Sequence, residues 1–392
     1  VTGGRGQCLP DPARRLSPHA QSAISAGTQR RAPKLRATLG GNGLARGPIK
    51  TTTVNDVSVN KVLLSALPAL ALLLPTMAAA DRIYTDAQLH YVNFVQETDG
   101  MKALFRAMDE ANIHDVAIMG LGVIKKWEES APKEPRYYMG DEAPVYYYSA
   151  TDAMLAQDIL ALPAEQQARL HPFISGFNPT DMNAVNHIEM MMEMHPGLWK
   201  GIGEILTRHD DLTALTKGET PRANHPALMR VYEFAAKHDL PVILHSNITS
   251  KREAKPIYRE ELEEALSRNP DTKIIWAHAG TSAEIHRYQG RVEGLFKIVS
   301  DLLATYDNLY IDLSWTMLDP YLIHDGQADS DWLGLVKAYP DRFMAGTDLV
   351  GRFDNLGKNI HEFEPFLDAL PNDVADRVAR TNLLGLLPKS DD

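Results

Sequence analysis

The chain has 392 residues and a formal charge of -11, but that figure averages two unlike parts. Residues 1–80 hold ten Lys or Arg against two Asp or Glu, an excess of +8, whereas residues 81–392 hold 30 against 49, an excess of -19. The acidic part excludes the basic face that a nucleic-acid partner needs and suits a soluble protein acting on a small molecule.

Residues 1–58 are rich in Gly, Arg, Ala, Pro and Thr without apolar periodicity and read as a disordered or untranslated leader. The first methionine is Met77, and Val59-Asn-Lys61 runs directly into the Leu- and Ala-rich stretch Val62 to Leu74. Residues 59–80 therefore read as a signal peptide: Lys61 supplies the charge, the Leu and Ala run the apolar segment, and Ala78-Ala-Ala80 the cleavage site. An N-terminal membrane anchor is the alternative, opposed by Pro68, Pro75 and the shortness of the run. The mature chain is expected to start at Asp81, to lie in the periplasm or be secreted, and to have no membrane contact after cleavage. The single cysteine, Cys8, lies in the leader, so a metal site in the folded part must be built from His and carboxylate.

From Asp81 the pattern alternates strand and helix eight times. Strands are predicted at Ile83 to His90, Asp115 to Met119, His171 to Phe177, Trp199 to Leu206, Pro241 to His245, Lys273 to His278, Asn308 to Leu313 and Arg342 to Thr347. Helices are predicted near Met101 to Asn112, Thr151 to Leu170, Asp181 to Met194, Pro226 to His238 and Asp373 to Leu387. Eight such units point to a single-domain α/β fold over 81–392, a (β/α)8 TIM barrel with its site at the C-terminal strand ends. A doubly wound open sheet is the rival and would bring fewer strand ends to one point.

The strand ends carry the chemistry. Lys273-Ile-Ile-Trp-Ala-His-Ala-Gly280 is an apolar run that closes on a histidine and then on small residues. Pro241-Val-Ile-Leu-His-Ser-Asn247, Gly201-Ile-Gly-Glu204 and Gly346-Thr-Asp348 follow the same grammar, as does Asp86-Ala-Gln-Leu-His90 in the first strand. One histidine in an apolar run is usually a core residue, but His90, Glu204, His245, His278 and Asp348 at equivalent positions imply convergence on one site.

On these motifs, and on the terminal Asn382-Leu-Leu-Gly-Leu-Leu387, the sequence resembles the amidohydrolase-related group of the amidohydrolase superfamily, which contains metal-dependent hydrolases and nonoxidative decarboxylases. The family pattern is His-x-His in the first strand, a His in the fifth and sixth, and an Asp in the eighth; here Gln88 stands in place of the first histidine. The resemblance implies that His90, His245 and Asp348 bind a divalent metal; Gln88 offers a neutral amide oxygen, a poorer ligand than imidazole, and Glu204 either compensates as an anionic ligand from strand four or orients a histidine. It implies that Asp348 is the general base and that His278 polarises or protonates the substrate. Zinc is the expected ion and manganese the second choice.

Arg208 and Asn247 are placed to meet a substrate carboxylate or carbonyl, and Trp315 to form an aromatic wall. The insertion Gly120 to Ala150, with Lys125, Lys126, Trp127, Arg136 and five tyrosines, reads either as a lid or as an exposed or dimer-forming loop. Asp312 and Ser314 read as structural, Met190 to Met192 with Met194 as core filling, and His187 and His195 as solvent-facing. The expected activity is hydrolysis of a C-N or C-O bond of a small amide, lactone or ester by metal- and Asp-activated water. Its alternatives are a decarboxylase on the same scaffold, a metal-independent lactonase, and a noncatalytic ligand-binding barrel.

Overall fold

The computed structural model describes residues 82–127, 133–138, 141, 143–209 and 212–389. The leader over 1–58 and the signal peptide over 59–80 lie outside the described residues. Among the described residues no helix is long and apolar enough to cross a membrane.

Eight parallel strands form the centre: β1 Tyr84–His90, β2 Ile113–Met119, β3 Leu170–Ile174, β4 Gly201–Thr207, β5 Val242–Ser246, β6 Ile274–Trp276, β7 Leu309–Asp312, and β8, which comes in two pieces, Phe343–Met344 and Leu349–Val350. Each strand pairs with the next in sequence. The first piece of β8 pairs with β7, Phe343 opposite Ile311, and the second with β1, Leu89 opposite Leu349. The sheet therefore closes on itself. Ala87 N–H donates to Ala345 O at 3.0 Å and Asp348 N–H to Gln88 O at 2.8 Å, so the closing seam stays hydrogen-bonded between the two pieces.

Strands buried on both faces read as continuous apolar runs. Ile274-Ile275-Trp276 and Val242-Ile243-Leu244 are entirely buried. Alternate residues divide between two cores. Ala87, Ala117, Met119, Phe173, Ile243, Ile275 and Met344 point inward, where Leu383 and Leu386 pack against them. Those two leucines belong to the terminal Asn382–Leu386 helix. It is tied to the strand starts by Asn382 Nδ2 donating to Phe343 O at 2.7 Å and Lys273 Nζ donating to Leu386 O at 2.9 Å. The outward residues meet the helices. In the Met101–Glu110 helix, Met101, Leu104, Phe105 and Met108 are buried at helical spacing.

Several local expectations need correction. The predicted helix to Leu170 stops at Leu160, a short turn Ala164–Gln167 follows Pro163, and Leu170 already opens β3, which ends at Ile174 rather than Phe177. Proline lacks the N–H to continue a helix, and the local signal was present. The Met run is only partly core: Met191 is buried, but Met190 is 48% and Met194 56% exposed. His187 is not free in solvent, since its Nε2 lies 2.9 Å from Asp152 Oδ2.

The Gly120–Ala150 insertion contains an antiparallel ribbon, Val123–Lys125 against Val145–Tyr147. Lys125 is buried within it and donates to Asp141 Oδ1 at 2.9 Å, to Arg136 O at 3.0 Å and to Tyr138 O. It therefore fastens the loop. Trp127, Tyr137 and Tyr146 are exposed.

Candidate metal centre

The C-terminal strand ends bring His90 (β1), Glu204 (β4), His245 (β5), His278 (just past β6) and Asp348 (within β8) to one point. Sharp local backbone makes this convergence possible. His278 and Ala279 adopt left-handed φ values of 50° and 47°, and Gly280 follows at 71°, so the chain leaves the barrel as soon as the ring is presented. At Gly280 a Cβ would meet the Trp276 ring at 2.2 Å, so only glycine fits. Beside Glu204, a Cβ on Gly203 would lie 2.3 Å from Ile243 O; the bare backbone lets β4 approach β5 there. Asp348, at φ 53°, is also left-handed. Non-glycine residues in this region cost about 1 kcal/mol or more each, a cost typical of sites whose surroundings impose the geometry.

Each histidine is held from behind through one nitrogen. His90 Nδ1–H donates to Gly120 O at 2.8 Å. His245 Nε2–H donates to Asn247 Oδ1 at 2.9 Å. His278 Nδ1–H donates to Ser314 Oγ at 2.7 Å, and Ser314 Oγ–H donates in turn to Asp312 Oδ2, a carboxylate with no exposed surface. With these tautomers fixed, all three inner nitrogens present lone pairs to two carboxylates. His90 Nε2 is 3.2 Å from Glu204 Oε2 and 3.3 Å from Asp348 Oδ1. His245 Nδ1 is 3.3 Å from Glu204 Oε1, and His278 Nε2 is 3.6 Å from Glu204 Oε1 and 3.7 Å from Asp348 Oδ2.

Lone pairs facing anions repel, so the arrangement demands positive charge between them. Without an ion, protons supply it. Burial alone would lower the His90 pKa, but hydrogen bonds and charge from Asp348 and Glu204 outweigh it and push it up to about 10. His278 also rises to about 10, its burial overcome by Asp348, Asp312 and Glu204. Burial would raise Glu204, yet its contacts to His245, His278 and His90 hold it well below the usual carboxylate range.

A divalent cation fits the same place. Ligand atoms at about 2.1 Å in a tetrahedron lie about 3.4 Å apart, which the nitrogen–oxygen separations match. Two groups of ligand atoms meet the spacing, Glu204 with His245 and His278, and Glu204 with His90 and Asp348. The outer hydrogen bonds are of the kind that orient metal-bound imidazoles.

Other expected residues stand differently. Gln88 turns its amide nitrogen to the carboxylates, donating to Glu204 Oε1 at 3.0 Å and Asp348 Oδ1 at 3.1 Å. Asn247 serves His245 from behind. Arg208 pairs with Glu261, Nε to Oε2 at 2.8 Å, and stacks on Tyr258 at 4.4 Å, so its guanidinium is spent on the helix after β5. Trp315 sets its ring edge-on to His278 at 5.2 Å, as an aromatic wall would.

Sequence reasoning missed His209, which stacks on His245 at 4.5 Å and is held well below the ordinary histidine pKa, first by burial and then by the His245 charge. It also set aside Asp312 and Ser314. Asp86, in the β1 motif, is wholly buried and bolts the seam, accepting from Thr347 Oγ1 at 2.6 Å, Thr347 N at 2.9 Å and Gln88 N at 3.1 Å. On the β3 and β4 side a small pocket bounded by Val123, Tyr147, Phe177, Pro179 and Leu206 reaches Glu204.

Residues 208–382 match the family model described as amidohydrolase. Over that stretch the chain is similar to amidohydrolases. No curated protein matches the chain.

Among solved structures, the chain is similar to an uncharacterised TIM-barrel protein from Bordetella bronchiseptica, at 14% identity and a TM-score of 0.48, over 77% of this chain and 98% of that one. It is similar to a 2,6-dihydroxybenzoate decarboxylase from Rhizobium, at 12% identity and 0.46, over 78% and 98%. A third is a dihydroxybenzoic acid decarboxylase from Polaromonas, solved with manganese and 2-nitroresorcinol, at 13% identity and 0.47, over 78% and 96%. Similarity at this level says nothing of substrate.

Proposed function

We propose that the chain is a metal-dependent hydrolase of a C-N or C-O bond in a small amide, lactone or ester. The observation that carries this reading is Asp348. It shares the cluster with Glu204, but its side chain is 11% exposed against 4% for Glu204, so it is the more accessible of the two carboxylates. Asp348 is placed to take a proton from the water that attacks the acyl carbon, and protonated His278 to stabilise the oxygen on which charge develops. Glu204, His90, His245 and Asp348 would hold a divalent ion, zinc or manganese, and such an ion supplies Lewis acidity to the carbonyl and to water when bound.

A second reading, nonoxidative decarboxylation, is favoured by a different observation. Asp348, Asp312 and Glu204 around His278 outweigh its burial and keep a proton on that ring near neutral pH, as an acid that protonates a carbon requires. A panel of lactones, esters, amides and hydroxybenzoates, run with metal-loaded and chelated protein, tests both. Hydrolysed acid supports the first and released carbon dioxide the second. Hydrolysis that survives complete metal removal refutes the metal-dependent form. The Leu- and Ala-rich stretch before Asp81 supports an exported site of action.

A further inference from the structure

We propose that the small pocket on the β3 and β4 side of the site is a specificity subsite that takes a neutral hydroxyl group of the substrate between Ser175 and Tyr147. This rests on the hydrolase reading above and narrows it to hydroxylated amides, lactones and esters. Ser175 follows the last residue of β3 and is 4% exposed. Tyr147 ends the second strand of the ribbon in the Gly120–Ala150 insertion. Both residues line the pocket, and both hydroxyl oxygens are buried with no hydrogen-bond partner among the described residues. Such orphaned groups are uncommon in a folded chain, and two of them at one pocket point to a guest that completes their bonding.

The surroundings hold the two groups in place. Ser175 and Gly176 N–H donate to the buried Asp152 at 3.0 and 2.9 Å, and Phe177 N–H donates to Ser175 O at 2.9 Å, so the backbone of Ser175 is engaged while its hydroxyl is left over. A Cβ on Gly122 would lie 2.4 Å from Ser175 O; the bare backbone there lets the ribbon close over the end of β3. Tyr148 N–H donates to Gly122 O at 2.9 Å and Tyr147 pairs with Val123, which ties the tyrosine to the same point. Thr216 stands beside the Tyr147 hydroxyl but gives its own proton to Thr213 O at 2.8 Å. Burial pushes the Tyr147 phenol up, so it keeps its proton as a donor.

Size and charge select the guest. The pocket offers about 10 Å³, room for one water-sized group. Val123, Phe177, Pro179 and Leu206 give it apolar walls, and its charged lining residue is Glu204, with no cation among the described residues that line it. A carboxylate or phosphate would be buried there beside an anion with nothing to balance it, which is strongly unfavourable. A hydroxyl fits, since it accepts from one side chain and donates to the other. Glu204 borders both this pocket and the cluster of histidines, so the subsite lies next to the reacting groups.

The test compares substrates that differ by a hydroxyl against a methyl: glycolamide with propanamide, methyl glycolate with methyl propanoate, and α-hydroxy- with α-methyl-γ-butyrolactone. In a pair that is turned over, kcat/KM of the full chain is expected to favour the hydroxyl member by about 10- to 100-fold, the usual effect of leaving a buried polar group unpaired. Y147F and S175A should each cut that ratio at least several-fold; because the ratio is the readout, a general loss of activity in a variant cancels. Equal rates in the wild-type chain, or a preference that survives both substitutions, overturn the proposal and leave the hydrolase reading intact. Should a variant fail to fold, the wild-type ratio decides. If no pair is hydrolysed, the hydrolase reading loses its support and calorimetric affinities for the same compounds judge the pocket. A hydroxyl preference that Y147F or S175A removes upholds the subsite, and equal affinities or no binding overturn it.

Discussion

Asp86 offers the sharpest test of how the barrel is held shut. Burial raises its carboxyl from 3.8 to about 7, against the hydrogen bonds from Thr347 and Gln88 that favour the anion. A carboxyl whose folded pKa exceeds its unfolded value binds its proton more tightly in the native state. Its contribution to stability is complete below the unfolded pKa and is lost as pH rises through the folded one. The window here runs from about pH 4 to pH 7. Integrated from pH 5 to pH 8, the loss is roughly 2 to 3 kcal/mol.

The substitution Asp86→Asn isolates this effect, because the amide imitates the protonated acid: its oxygen accepts from the Thr347 and Gln88 N–H groups and its nitrogen donates to Thr347 Oγ1. All other titrating groups are shared and cancel in the difference between the two proteins. In urea unfolding at constant metal occupancy, the variant is expected to gain about 2 to 3 kcal/mol on the parent between pH 5 and pH 8. A difference that stays flat with pH would show that Asp86 is ionised throughout in the native state, and the account of the seam would be wrong.

Asp348→Asn removes the proposed base while keeping its shape; turnover should fall by at least about 100-fold with an unchanged circular dichroism spectrum, and retained activity would end the assignment. Ser314→Ala cuts the chain from Asp312 to His278 and should lower metal affinity by about 10- to 100-fold, measured by competition with a chelating dye; no change would mean that packing alone orients the ring. Arg208→Ala should cost stability, at most about 2 kcal/mol for a partly exposed ion pair and cation–π contact, and leave KM within a few-fold. A KM raised more than about tenfold, or 1.4 kcal/mol of lost binding, would return Arg208 to the substrate.

The barrel was legible because its parallel strands are short and buried on both faces. Ile274-Ile275-Trp276 and Val242-Ile243-Leu244 cannot be amphipathic helices, and each leads directly to a histidine. Strand order follows from that reading, since neighbours in sequence pair in space. The convergence of His90, Glu204, His245, His278 and Asp348 was legible for the same reason, as strand ends of a closed barrel share one rim.

What stayed hidden was the partner of each side chain. Arg208 looks free in the sequence, yet Glu261 claims it from 53 positions further on. Gln88 is the right residue in the right place, but which end of its amide faces inward depends on two carboxylates from other strands. Ser314 and Asp312 gain meaning only because the β6 backbone turns left-handed and points His278 Nδ1 at them. Met190 and Met194 have helical spacing but lie on the side of the helix that the barrel does not cover.

The two-piece β8 ties the proposed chemistry to closure of the ring. Asp348 lies in the gap between the piece that pairs with β7 and the piece that pairs with β1, so the strand that completes the wall also carries the proposed base, and under that proposal a closed wall is a condition of turnover.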